Sequence, residues 1–403
     1  MLLLKPAVAA AALAYSAHAW LPANDKIRGV GIGGLFVFEP WMDWQEWADI
    51  GCEGQQSEFD CVMNTGQDRS DAAFREHWEN WINADDLDEM VSFGLNTIRI
   101  PLGYWLKEDL VDSSEHFPRG GLEFLTRFVG LASDRGLYII LDLHGGPGAQ
   151  EPWQPFTGQI VEWVGFYNDY NYGRAVEWLS WMTEIVHTTH EYRNVGMIQL
   201  LNEPFGWGQA VDSLRSTFYV NAYNGIREVE KSLGVASNDE LHVMMMSSNW
   251  GTGDPTEFLG DATSLAFDDH RYLRWDGDVP LSHEGYIYTS CYDDRNAETP
   301  TIVGEWSIAV ADEVQDTPDW DPNTQQDFYR QWFAAQVQTY EKGLGWLFWT
   351  WKVNQGVYGW TSEDVAAHHG GQYRWSYRDS VAAGVISRNL DEVANSSVCR
   401  DLE

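Results

Sequence analysis

Eight short apolar or β-branched runs punctuate the chain: Ile27–Ile32, Thr97–Pro101, Tyr138–Leu143, Gly196–Leu201, Leu241–Met246, Leu265–Phe267, Thr301–Val303 and Gly345–Trp349. Several are continuously apolar, as expected of parallel strands buried on both faces. Amphipathic stretches lie between them, at Asp85–Phe93, Leu122–Asp134, Arg174–His187, Arg215–Leu233 and Thr324–Glu341. Strand and helix in alternation predict an α/β architecture, and eight units predict a closed (β/α)8 TIM barrel. One segment, Trp41–Ala84, breaks the rhythm and reads as an elaborated first βα loop, a lid or a wall of a cleft. No Pro/Ser-rich linker, repeat or low-complexity tract follows, so residues 20–403 are expected to form a single domain.

The N-terminus follows a different pattern. Met1–Ala19 holds a single Lys5, an apolar run from Pro6 to Tyr15 and small residues at Ala17 and Ala19. This is the layout of a secretory signal peptide cleaved after Ala19. The apolar run is too short to span a bilayer, so a secreted, extracellular protein is expected, with no membrane partner. Four cysteines, Cys52, Cys61, Cys291 and Cys399, make an even count with three possible pairings. The nearness of Cys52 to Cys61 favours a local bridge, which leaves Cys291–Cys399 to tie down the tail. His368-His369, beside Gly370-Gly371, reads as a solvated loop, and Asn395-Ser396-Ser397 as a glycosylation acceptor.

Charge narrows the partners. The net charge of −36, from 25 basic and 61 acidic residues, repels nucleic acid and anionic membranes, because phosphate binding needs clustered Lys and Arg. A neutral polymer is not repelled.

Reacting groups in such a barrel sit just past the C-terminal ends of the strands. Those positions hold Arg99, His144, Asn202-Glu203, His270 with Tyr272, Glu305 and Trp351. Glu203 follows the apolar run Met197–Leu201 and is stopped by Pro204, while Glu305 follows Ile302-Val303-Gly304. A lone glutamate in such a place is most often a solvated loop residue. Two at strand ends, with Asn202 and Trp306 beside them, meet the needs of glycosidic hydrolysis: one group protonates the leaving oxygen and the other meets the oxocarbenium-like centre. Gly29-Val30-Gly31-Ile32-Gly33-Gly34 satisfies G-x-G-x-x-G in letters, but the apolar run continues through Leu35-Phe36-Val37 where a helix should open. Neither G-x-S-x-G nor H-E-x-x-H occurs, and close Cys/His pairs that would ligate zinc are missing. No metal or organic cofactor is expected.

Leu201-Asn202-Glu203-Pro204 and Gly304-Glu305-Trp306-Ser307 resemble the acid/base and nucleophile signatures of glycoside hydrolase family 5. Lys26-Ile27-Arg28-Gly29-Val30 with Phe36-Val37-Phe38-Glu39-Pro40-Trp41 is similar to the first strand of its fungal members. Asn96–Pro101 is similar to the second strand, Asp142–Gly145 to the third, Phe348–Lys352 to the eighth, and Tyr373–Tyr377 to the segment after it. Ser57–Cys61, Pro155–Gln159 and Asp268–Tyr272 resemble the fungal members that act on β-1,6-glucan. Gly31, where that group has Asn, Gly146, where it has Ala, and the stretch Gln150–Gln154 depart from it and are expected to line the cleft.

The resemblance implies a retaining β-glucanase acting on β-1,6-glucan polysaccharide or oligosaccharide, with Glu203 as acid/base and Glu305 as nucleophile. Arg99 would orient Glu305, and Asn202 would bond the sugar 2-hydroxyl. His144, His270 and Tyr272 would surround the sugar, and Trp351, preferred to Trp349 because it precedes Lys352, would form the floor. Trp41, Trp153 and Trp163 are candidates for outer subsites. The alternatives are an exo-acting β-1,3-glucanase of the same family and a catalytically silent β-glucan-binding protein, and a monomer is expected.

Overall fold

Side chains alternate between the two faces of a strand, and in this chain the inward set changes character along its length. The structure, a computed structural model, describes residues 26–206, 208–295, 297–354 and 372–400; the expected signal peptide and His368-His369 lie outside them. Strands β1 (Ile27–Gly31), β2 (Thr97–Gly103), β3 (Tyr138–Gly145), β4 (Val195–Gln199), β5 (His242–Met246), β6 (Leu265–Arg271), β7 (Thr301–Trp306) and β8 (Gly345–Phe348) pair in parallel, in chain order. β8 closes onto β1. The expected (β/α)8 barrel is formed.

At the N-terminal end of the barrel the inward residues are apolar: Ile27, Tyr138, Ile140, Met197, Met244, Ala266, Ile302 and Leu347 form one sealed cluster. Two positions further along, the same phase brings in Asp142 after Ile140, Gln199 after Met197 and Asp268 after Ala266, with Arg99 from β2, all at 0% exposure. Two positions further again come His144 and His270. The polar layer survives burial because its members are bonded to one another, which buried polar groups require. It also explains a difference from the sequence pattern. The apolar run of β6 ends at Phe267, yet the strand continues through Asp268-Asp269-His270-Arg271. Asp268 is held by Gln199 and His270 inside the barrel, and Asp269 by Arg295 outside it. Gly304 makes this possible, since a Cβ there would lie 2.0 Å from Asp268 Oδ1.

Helices Ala84–Ser92, Gly121–Asp134, Asp169–Thr188, Val220–Leu233 and Gln326–Tyr340 fall where the amphipathic pattern places them. The first βα loop is a packed wall. It contains helices Trp44–Asp49, Glu58–Thr65 and Gln67–Asn80, the first two capped by Asp43 and Ser57. Buried His77 bonds Gly34 O and Glu46, and its ring stacks on Phe38 at 4.4 Å. Both expected disulfides are formed, Cys52–Cys61 within this wall and Cys291–Cys399 between the helix His283–Tyr292 and the tail. No helix opens within the glycine-rich segment; β1 ends at Gly31 and the next element is a 3-10 turn at Pro40–Met42. Among the described residues no helix is long and apolar enough to cross a membrane.

Candidate active site

Arg99 is the hub of the barrel's C-terminal end. Its guanidinium donates to Gln199 Oε1 at 2.8 Å, Glu305 Oε1 at 2.7 Å and Asn202 Oδ1 at 2.7 Å. It also lies 3.0 Å from Asp142 Oδ2. Burial opposes its charge, but Asp142, Glu305 and Asp268 outweigh that and raise its pKa above the already high ordinary value. Tyr272 donates its hydroxyl to the other oxygen of Glu305 at 2.9 Å. Burial first, then Glu305 and Glu203, hold the Tyr272 pKa well above the ordinary range, so the phenol stays a donor. Glu305 is thus gripped from both sides by hydrogen-bond donors that fix the orientation of its carboxylate.

Glu203 is positioned differently. It follows the end of β4 with φ at 39°, a left-handed backbone that costs a non-glycine residue about 1–2 kcal/mol. His270 Nδ1 meets its Oε1 at 2.6 Å, and His270 Nε2 meets Asp268 Oδ2 at 3.1 Å. Burial alone would lower the His270 pKa, but Glu305 and Asp268, with hydrogen bonds to Asp268 and Glu203, hold it well above the ordinary histidine value.

Carboxylate oxygens of Glu203 and Glu305 and a ring nitrogen of His270 lie within 4.8 Å of one another. Three such atoms are also a geometry that a cation can use. Here both ring nitrogens of His270 already face carboxylates, and Arg99 is the cation beside Glu305. Carboxyl groups about 5–5.5 Å apart suit a displacement through a covalent intermediate; an attacking water between them needs about 6.5 Å or more.

A cleft of about 560 Å³ opens over this pair. Its walls include His144, Asn202, Tyr272 and Trp349. Trp351, expected as the floor, is elsewhere: it is 0% exposed and its indole donates to Asp86 Oδ1 at 2.7 Å. Trp349 takes the floor position, nearly parallel to His144 at 5.5 Å. Proximity to Lys352 is a poor guide, and so is alternation, which gives both tryptophans the phase of Leu347. Strand β8 ends at Phe348, and the chain beyond it takes Trp351 out of the cleft, its backbone N–H on Gly31 O at 3.0 Å and its indole on Asp86, while Trp349 stays on the cleft. Gly31 leaves room for it, as a Cβ there would lie 2.6 Å from the Trp349 ring.

A family model described as cellulase (glycosyl hydrolase family 5) matches residues 62–355. The chain belongs to this family. As a family 5 glycoside hydrolase it is 51% identical over 399 residues to a probable glucan endo-1,6-β-glucosidase B of Aspergillus terreus, covering 94% of this chain and 95% of that protein. It is 52% identical over 385 residues to glucan endo-1,6-β-glucosidase B of Emericella nidulans, covering 95% and 90%. A probable glucan 1,3-β-glucosidase A of Aspergillus terreus is 28% identical over 390 residues, covering 85% and 86%. Among solved structures, the rutinosidase from Aspergillus niger shares the fold, with TM-score 0.65 at 19% identity over 89% of this chain and 97% of that one.

Within this family 5 site, several expectations need correction and several residues are new. Gly146 does not line the cleft; a Cβ there would meet Leu201 and Phe166 at 3.0 Å, on the outer side of the barrel wall. Gly31 lies behind Trp349. Of the outer tryptophans, Trp41 lines the cleft, whereas Trp153 and Trp163 are 62% and 82% exposed and do not. Trp275, outside the family-like motifs, and Trp375, inside the Tyr373–Tyr377 motif but given no role there, continue the wall beyond Tyr272, with ring centroids 5.1 Å and 5.4 Å from it. Glu39 is buried beside His144, accepts from the Trp41 indole at 2.9 Å, and is pushed up to about 7, chiefly by burial. It was legible only as part of a family motif, because nothing in the local pattern distinguishes it from a surface glutamate.

Proposed function

We propose that this enzyme hydrolyses β-1,6-linked glucan outside the cell by retaining double displacement. The observation that carries the mechanism is the placement of Glu203 and Glu305 within 4.8 Å of each other, one paired with His270, the other with Arg99 and Tyr272. In the first step a Glu305 oxygen attacks the anomeric carbon as the bond to the leaving oxygen breaks, and Glu203 delivers the proton to that oxygen. In the second, Glu203 takes a proton from water, which attacks the same carbon and releases Glu305. The 2.6 Å contact between His270 Nδ1 and Glu203 holds the carboxyl group that makes both transfers in place. The Asn202 side-chain oxygen is occupied by Arg99, which leaves its NH2 for the sugar 2-hydroxyl. Trp349 offers a flat apolar face to the pyranose ring.

The substrate linkage rests on the two relatives named for endo-1,6 cleavage, matched over nine-tenths or more of their length. Two disulfides accord with an oxidising compartment, and residues 1–19 are proposed to be a signal peptide removed on secretion. The test is product analysis on a linear β-1,6-glucan (pustulan) and a linear β-1,3-glucan (laminarin). Oligomers from the first alone are expected. Glucose released preferentially from the second would overturn the linkage, and inactivity on both would overturn the function.

A further inference from the structure

A fourth carboxylate, Glu151, faces the cleft beside Glu203. The preceding residue fixes its position. The Gln150 side chain donates to His144 O at 2.6 Å and Asn202 O at 3.0 Å, and accepts from Gly146 N at 3.0 Å. Its main-chain carbonyl accepts from Phe205 N at 3.1 Å and from the Tyr167 hydroxyl at 2.9 Å. Gln150 therefore clamps the chain on both sides of Glu203, at Asn202 and at Phe205, and Glu151 is carried on that clamp.

The other carboxylates of the cleft have donors: His270 for Glu203, Arg99 and Tyr272 for Glu305, and the Trp41 indole for Glu39. Among the described residues none donates to the Glu151 carboxyl group. Burial, with the charge of Glu203 next, pushes its pKa up to about 7. A carboxyl group partly withdrawn from water and left without a donor is unfavourable unless a ligand supplies one. Its place beside Glu203, the group that protonates the leaving oxygen, puts it on the leaving-group side of the scissile bond. A glucosyl unit bonded there through its primary 6-oxygen keeps its ring hydroxyls free to donate.

We propose that Glu151 is a specificity-determining residue that accepts hydrogen bonds from ring hydroxyls of the departing glucosyl unit. This rests on the catalytic roles and the linkage proposed above. The experiment compares wild type, Glu151→Ala and Glu151→Gln on two substrates: a β-1,6-linked gluco-oligosaccharide, and an aryl glycoside with the same glycone but a nitrophenol leaving group. For Glu151→Ala, kcat/KM is expected to fall about ten-fold on the oligosaccharide, the value of one lost hydrogen bond, and to stay within about two-fold on the aryl glycoside. Glu151→Gln, which resembles the protonated carboxyl, is expected to recover most of the loss below pH 6. Equal losses on both substrates, or no loss on the oligosaccharide, would overturn the proposal. Failure of the underlying reading is separately visible, because wild type would then leave the β-1,6 oligosaccharide uncut.

Discussion

Glu58 is the residue whose removal has the most calculable consequence. It is 1% exposed, and its Oε1 accepts from Phe38 N at 2.8 Å. Burial pushes its pKa from 4.5 up to about 8. Between those values the folded chain holds a proton that the unfolded chain has released, so stability falls as pH rises. The contribution is fully present below about pH 4.5 and is lost as pH passes through 8. At about 1.4 kcal/mol per pH unit the total is roughly 5 kcal/mol. With an unfolding entropy of about 2 cal/mol/K per residue, this corresponds to roughly 6 °C in Tm for a chain of this size. Glu58→Gln keeps an acceptor for Phe38 N and cannot ionise. Melting of both proteins by calorimetry from pH 4.5 to 9 is therefore expected to show near-equal Tm at the acid end. The variant should gain about 6 °C over wild type at the alkaline end. Glu39 and Glu151 also titrate high, but identically in both proteins, so the difference isolates Glu58. A Tm difference that stays constant with pH would refute the reasoning.

Other outcomes follow from the site and the frame. Glu305→Gln is expected to lower kcat at least a thousand-fold with the circular dichroism unchanged, and near-normal turnover would remove it as the nucleophile. Trp349→Ala is expected to cost ten-fold or more in kcat/KM. Trp351→Phe, which loses a buried hydrogen bond to Asp86, should instead cost about 1–3 kcal/mol of stability, with kcat/KM nearly intact; the reverse pattern would restore Trp351 as the floor. Breaking Cys291–Cys399 with paired serines opens a 108-residue separation, and breaking Cys52–Cys61 opens one of 9. Loop-closure entropy puts the losses at about 5 and 3 kcal/mol, and denaturant unfolding showing the opposite order would contradict the entropic account.

The barrel was legible in the sequence because strands buried on both faces announce themselves as continuous apolar runs, and helices by their spacing. The two glutamates were legible because each follows such a run directly. Less was visible wherever polar residues do the work of a strand. Asp268–Arg271 looks like a loop until Arg99, Gln199 and Arg295, brought from distant parts of the chain, supply its partners. The choice between Trp349 and Trp351, which share one strand phase, turned on the path of the chain beyond β8, where Gly31 and Asp86, from distant parts of the chain, hold Trp351 out of the cleft. Glu39 and Glu151 are ordinary glutamates in sequence. Only the meeting of the first loop and the β3 loop with the rim at Glu203 and Glu305 removes them from water and raises their pKa. Local pattern determined the elements and the two carboxylates; long-range packing decided which side chains share the cleft, because desolvation and hydrogen-bond partners are properties of the assembled barrel.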